Sequence, residues 1–150
     1  MRVEFKINAD STEETIIIKA PKMTQELMEL AKFLEELENK ASLLVVKKDD
    51  KLFIIEPNEV DIIRTEGGKI KLYNHKSQDY DVTKPLHEIF GQLPDNFVRI
   101  SKSAIVNISR VNHLSNSFNG TMYIVMKNGI SDYISRKYLG DFKKRLGLKG

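Results

Sequence analysis

Two short stretches late in the chain hold residue types suited to gripping a phosphate backbone. Ser101-Lys102-Ser103 sets a long cation between two small hydroxyls, and Ser135-Arg136-Lys137 repeats that chemistry further on. Hydroxyls and backbone N–H groups can hold phosphate oxygens while the longer Lys or Arg reaches onward to a guanine edge. The apolar spacing after Ser135 predicts a helix, whose free N–H groups and positive dipole end also favour an anion. The plainer reading makes Ser135 a helix cap and Arg136 an ordinary surface residue. Two such clusters in one basic segment argue more than either alone.

The segment is basic in a way the total charge conceals. The net charge of the 150 residues is +3, yet residues 1–96 hold 14 Lys+Arg against 19 Asp+Glu, a net −5. Residues 97–150 hold 10 against 2, a net +8. Such asymmetry in a folded chain points to a polyanionic partner, although a solvated Lys/Arg face would give the same count.

Other chemistries find no support in the residues. His75, His87 and His113 stand alone, without the i, i+4 partner of a zinc helix. Glu66-Gly67-Gly68-Lys69 lacks the length and trailing Ser/Thr of a phosphate loop, and there is no Gly-x-Ser-x-Gly elbow. Asp49-Asp50 is an acidic pair explained by solvation in a Lys-flanked turn. The absence of cysteine removes thiol catalysis, disulfides and thiolate metal sites. The expectation is a non-enzyme with no catalytic residues, metal, cofactor or small-molecule substrate. No apolar run approaches the ~18–20 residues that cross a bilayer. The opening residues alternate charge and apolarity rather than forming a signal peptide. A cytoplasmic location is expected.

The elements that position the two clusters follow from periodicity. Val3, Phe5 and Ile7 alternate with charged residues as in a half-buried strand, and 15–19 should pair back on them. Apolar residues at 23, 27, 30, 31, 34 and 37 then fall at helical spacing opposite a glutamate-rich face. Residues 1–41 therefore read as a ββα unit. Beyond them, 43–46 and 52–56 flank a turn, and 60–65 and 70–73 flank Gly67-Gly68. Thr83 is positioned to cap a short helix with Pro85 in its first turn and Leu86, Ile89, Phe90 and Leu93 inward. Asn119-Gly120 and Asn128-Gly129 mark turns around 121–127 and 130–134, and the last helix sets Tyr138, Leu139, Phe142 and Leu146 on one face.

The run Phe-x-Arg-Ile-x-Lys-Ser-x-Ile-Val-Asn at 97–107, followed by Ile134-Ser135-Arg136-Lys137-Tyr138, resembles the LytTR DNA-binding domain of bacterial transcription regulators. The 60–65 hairpin and the 85–93 helix fall in the same order, so the resemblance covers about residues 44–147. It implies an α+β fold for 42–150: an elongated, mostly antiparallel β domain of small sheets with short helices, preceded by the ββα unit. It also implies a sequence-specific regulator whose loops enter successive major grooves on one side of bent double-stranded DNA. Carried over by position, Lys69, Lys102 and Arg136 would approach bases, with Lys71 as the substitute if the hairpin alignment slips. Ser101, Ser103, Ser135 and Lys137 would hold phosphates. Asn107 reads as structural, an amide fixing the loop beneath Ser101-Lys102-Ser103.

About 40 residues precede the resembling part, too few for the phosphoacceptor receiver domain that many such regulators carry. The unit instead resembles the N-terminal extension of short stand-alone members, which are commonly encoded beside a small integral membrane protein. That resemblance alone implies such a regulatory partner. The acidic helix either packs its apolar face on its own hairpin and the β domain or leaves apolar surface for a second protomer or a membrane partner, and promoter repeats would favour a homodimer on DNA. The competing functions are an RNA or general nucleic-acid-binding module, and a protein-interaction module acting through the acidic helix. A single-strand reader needs exposed aromatics, and most aromatics of the basic third sit at expected inward positions.

Overall fold

A computed structural model describes residues 2–10, 12, 15–41 and 43–148, with the backbone alone for 36–41. The chain divides into two compact units, residues 1–35 and 36–150. In the first, Thr24 caps helix α1 (Gln25–Ala41): its Oγ1 accepts the Leu27 N–H at 3.2 Å. Leu27, Leu30 and Leu34 form a half-buried stripe, narrower than the spacing suggested, since Met23 and Ala31 are exposed.

Neither of the two N-terminal strands of the expected ββα unit forms among the described residues. Val3, Phe5, Ile7, Ile16 and Ile17 are all at least 69% exposed. Alternation supplies an apolar face, but a lone two-stranded ribbon is marginal in water unless a further layer covers that face.

The second unit is an α+β fold built from two antiparallel sheets. The strands are β1 (Leu44–Lys48), β2 (Lys51–Ile55), β3 (Val60–Glu66), β4 (Lys69–Asn74), β5 (Asp79–Val82), β6 (Phe97–Ser101) and β7 (Ala104–Asn107), followed by β8 (Val111–Asn116), β9 (Met122–Met126) and β10 (Ser131–Ile134). The first seven form one sheet in the order β2-β1-β5-β4-β3-β7-β6, and the last three form another in the order β10-β9-β8. Helix α2 (Leu86–Gln92) lies between β5 and β6 in sequence, and α3 (Arg136–Arg145) ends the fold. Pro85 rather than Thr83 occupies the N-cap of α2, with no side-chain cap bond. Its ring fixes φ near the helical value, and its missing N–H is one the first turn leaves unpaired anyway.

Turn chemistry sets the hairpins. Gly67 and Gly68 both take positive φ (55° and 81°), the geometry that matches strand twist across a two-residue connection. Asp49 and Asp50 do the same at 50° and 62°, which aspartate tolerates better than most residues.

The large sheet is buried on both faces at its centre, which is why β3 begins Val-Asp-Ile-Ile rather than alternating. On one face Ile63, Leu72, Phe97 and Ile105 pack with Leu86 and Ile89 of α2. On the other, Ile62, Val98, Ile100 and Val106 pack with Ile124, Met126 and Ile134 of the small sheet and with Phe142 of α3. Neighbouring residues such as Ile62 and Ile63 thus belong to different cores, as the period of two requires.

Two buried polar side chains join the layers. Asp61 Oδ1 accepts from His75 Nδ1 at 2.6 Å and Arg110 Nε at 2.9 Å, while Oδ2 accepts the Asn128 N–H at 3.1 Å. Asn107 donates from Nδ2 to the Val60 carbonyl at 3.0 Å, and its Oδ1 accepts from Asn96 and Ser109. Asn107 is structural, but it locks the far end of β7 and not the loop at 101–103.

Candidate nucleic-acid interface

The Ser101-Lys102-Ser103 cluster is the turn between β6 and β7. Ser101 pairs with Ala104 across the hairpin, and the ladder slips between Arg99 and Ser101. The Ser101 Oγ accepts the Ser103 N–H at 3.1 Å, and the two hydroxyls lie 3.3 Å apart. Lys102 stands exposed at the tip. The slip leaves Ile100 out of the ladder with β7, and its carbonyl accepts the Ser135 N–H at 2.9 Å. A β-bulge therefore ties the first cluster to the second.

A second backbone bond ties in the hairpin turn at 67–68. Thr65 N–H donates to the Ser103 carbonyl at 2.8 Å, and Arg64 pairs with Ala104, so the β3–β4 and β6–β7 turns share one end of the sheet. Three turns thus form a row: Gly67-Gly68-Lys69, then Ser101-Lys102-Ser103, then Ser135-Arg136-Lys137. All seven residues expected to touch nucleic acid lie on it. Lys69, Lys102, Arg136 and Lys137 are exposed, and among the described residues none of the four is in an ion pair.

Lys71 is not equivalent to Lys69. Its ammonium lies 2.5 Å from Asp81 and 3.4 Å from Asp79 on the adjoining strand. The Asp81 bond raises the Lys71 pKa and lowers that of Asp81, so this lysine is committed within the sheet. Ser135 sits at the N-cap of α3, but its hydroxyl makes no cap bond, leaving the Oγ available to an outside acceptor.

Two arginines that sequence reasoning did not single out hold the row together. Arg99 Nη2 donates to the Lys102 carbonyl at 2.6 Å, and its guanidinium lies 6.0 Å from the Tyr138 ring centre on α3. Lys137 Nζ lies 5.7 Å from the same ring. Arg64 donates from Nε to Glu66 at 2.6 Å and from Nη1 to the Ser131 carbonyl at 2.8 Å, linking β3 to β10. A cation inside an apolar strand, as in Phe97-Val98-Arg99-Ile100, was the available signal.

Tyr73 donates its hydroxyl proton to Glu66 at 2.6 Å. Burial works against the Glu66 charge, but the Tyr73 and Arg64 bonds outweigh it and hold the carboxyl below its ordinary value of 4.5. A depressed carboxyl contributes stability above its unfolded pKa and loses it as pH falls through the folded value. Thermal melts should therefore show wild type above Glu66→Gln at pH 7, with the gap closing below about pH 4. A gap unchanged at pH 3 would show that the charge is not what stabilises this corner.

The aromatics of the basic third are mostly inward as expected, with Phe97 and Phe142 buried and Tyr123 and Tyr138 half-buried; Phe118 and Tyr133 are exposed. Helices α2 and α3 are separated by five strands, so the described residues contain no helix-turn-helix. No helix among them is long and apolar enough to cross a membrane.

Residues 50–147 match the family model described as the LytTr DNA-binding domain. The chain belongs to the LytTR family. LytTR domains bind DNA and are not catalysts, which makes DNA a partner of this chain. Among curated relatives, an uncharacterized HTH-type transcriptional regulator of Staphylococcus aureus (strain NCTC 8325 / PS 47) is 32% identical over 148 residues, 99% of each chain. Its counterpart in strain MRSA252 is 31% identical over the same length. A solved LytTr DNA-binding domain from Bacillus cereus superposes with a TM-score of 0.65, at 23% identity, over 71% of this chain and 97% of that one. It establishes the LytTR fold for this sequence, mostly antiparallel β with short helices.

Proposed function

We propose that the chain is a sequence-specific transcription regulator that reads double-stranded DNA through the row of turns rather than through a recognition helix. The observation that carries this reading is the pair of backbone bonds, Thr65 to Ser103 and Ser135 to Ile100, which align three cation-bearing turns along one edge. Lys69 and Arg136, at the ends of the row, enter successive major grooves, with Lys102 reaching a base between them. Ser101, Ser103 and Ser135 donate their hydroxyl protons to phosphate oxygens, and Lys137 neutralises one beside the first turn of α3. The relatives named as transcriptional regulators support the regulatory role. Repeated half-sites would place two copies of the chain side by side on DNA.

Selection of bound sequences from a random duplex pool supplies the cognate site. Against it, Arg136→Ala should cost about 1–3 kcal/mol and flatten preference at one position, because a planar guanidinium reads guanine bidentately. Lys137→Ala should weaken all sequences about equally. Full discrimination retained by Arg136→Ala would show that the base-reading role lies elsewhere.

A further inference from the structure

The turn between β8 and β9 adjoins the row. Met122 pairs with Ile134 on one side and with Asn116 on the other, so residues 117–121 lie at the end of the small sheet from which β10 leaves for α3. Side-chain packing says the same. A Cβ built on Gly120 would stand 2.9 Å from Arg136 Cδ and 3.4 Å from its Cγ, so the arginine stem lies over the bare α-carbon. Gly120 has φ +73° and Asn119 +58°. The turn is closed by its own bonds: Ser117 N–H to the Thr121 carbonyl at 3.1 Å, and Thr121 Oγ1 to the Phe118 carbonyl at 2.8 Å. Phe118 is 73% exposed on it.

Single exposed aromatics are common and need no partner. This one is carried by a hydrogen-bonded turn whose glycine seats the stem of an arginine that the row reading takes to a base edge. Major-groove edges offer one apolar feature, the 5-methyl group of thymine, and a phenyl ring is among the groups that pack on it. We propose that Phe118-Asn119-Gly120 is a fourth DNA-contacting turn, in which Gly120 seats Arg136 and the Phe118 ring packs on the thymine methyl of a neighbouring base pair. The inference rests on the row-of-turns reading and extends it from three turns to four.

The test uses the full chain and a labelled selected duplex in which thymines are replaced one at a time by deoxyuridine, removing only the methyl. Wild type should bind about fourfold more weakly at one such position, the contribution of about one buried methyl. Phe118→Ala should lose at least that much on the thymine duplex and be indifferent to the replacement. A Phe118→Ala protein that binds like wild type, or that still responds to methyl removal as wild type does, overturns the fourth turn. If Arg136→Ala meanwhile relaxes base preference, only the fourth turn falls; if it too changes nothing, the row reading falls and this inference with it.

Discussion

Replacing Asp61 with alanine should lower the stability of the folded unit by about 3–5 kcal/mol, the range for removing one partner of a buried ion pair. The carboxylate is fully buried and takes three donors from three separate segments: His75 after β4, Arg110 before β8, and the Asn128 amide in the β9–β10 turn. It stands at the Val60 end of β3, where the ladder with β4 slips, so the bulge aims it at the small sheet. Removing it strands the Arg110 charge and the Asn128 N–H together. Arg110 and His75 are partly exposed and can recruit water, which favours the lower half of the range. Urea denaturation followed by circular dichroism measures the loss. The site of damage lies at the opposite end of β3 from the Lys69 turn, so the folded fraction of Asp61→Ala should keep wild-type base preference. A loss under 1 kcal/mol would show that solvent replaces the carboxylate without penalty.

Legibility in the sequence followed the range of the interactions. Gly67-Gly68 and Asn128-Gly129 were readable as turns because the φ values they supply are a local requirement. The stripe on α1 was readable for the same reason. Strand β5, Asp79–Val82, was not: two aspartates in four residues argue against a strand, and only pairing explains it. Asp81 sits across from Lys71 on β4 and Lys47 on β1, so its charge is answered by residues that only the fold brings near. The N-terminal alternation shows the reverse failure, an evident pattern whose covering layer is not formed by pairing among the described residues.

The candidate site divides in the same manner. Residue types at 101–103 and 135–137 raised the expectation of a phosphate grip, but not that one bulge at Ile100 joins the two. A bulge is set by how two strands meet, and neither Arg99 nor Ser101 signals it alone. Arg64 and Arg99 look like ordinary strand charges until register puts one beside Ser131 and the other beneath the Lys102 carbonyl. Lys71 would have passed for a base reader by sequence position; the two aspartates of β5 take it out of consideration.

DNA affinity should fall steeply with salt, and the row of turns bounds the slope. Lys69, Lys102, Arg136 and Lys137 are its four exposed cations. A side chain bound for a base edge passes between phosphates and displaces condensed counterions as a phosphate contact does, so each of the four counts. At about 0.9 per neutralised phosphate, log K should fall with log salt at a slope near −3.6. That is about a 150-fold loss between roughly 50 and 200 mM salt. The charges of α3 beyond its first turn, Lys143, Lys144 and Arg145, would steepen the slope only if the duplex ran along that helix. Anisotropy titrations of a labelled cognate duplex across that range measure it, and variants apportion it. Lys137→Ala should reduce the slope by about 0.9, whereas Phe118→Ala should weaken binding with the slope intact, since a ring on a methyl releases no ion. Affinity indifferent to salt would remove phosphate contact as the basis of binding, and with it the meaning of four exposed cations along one edge.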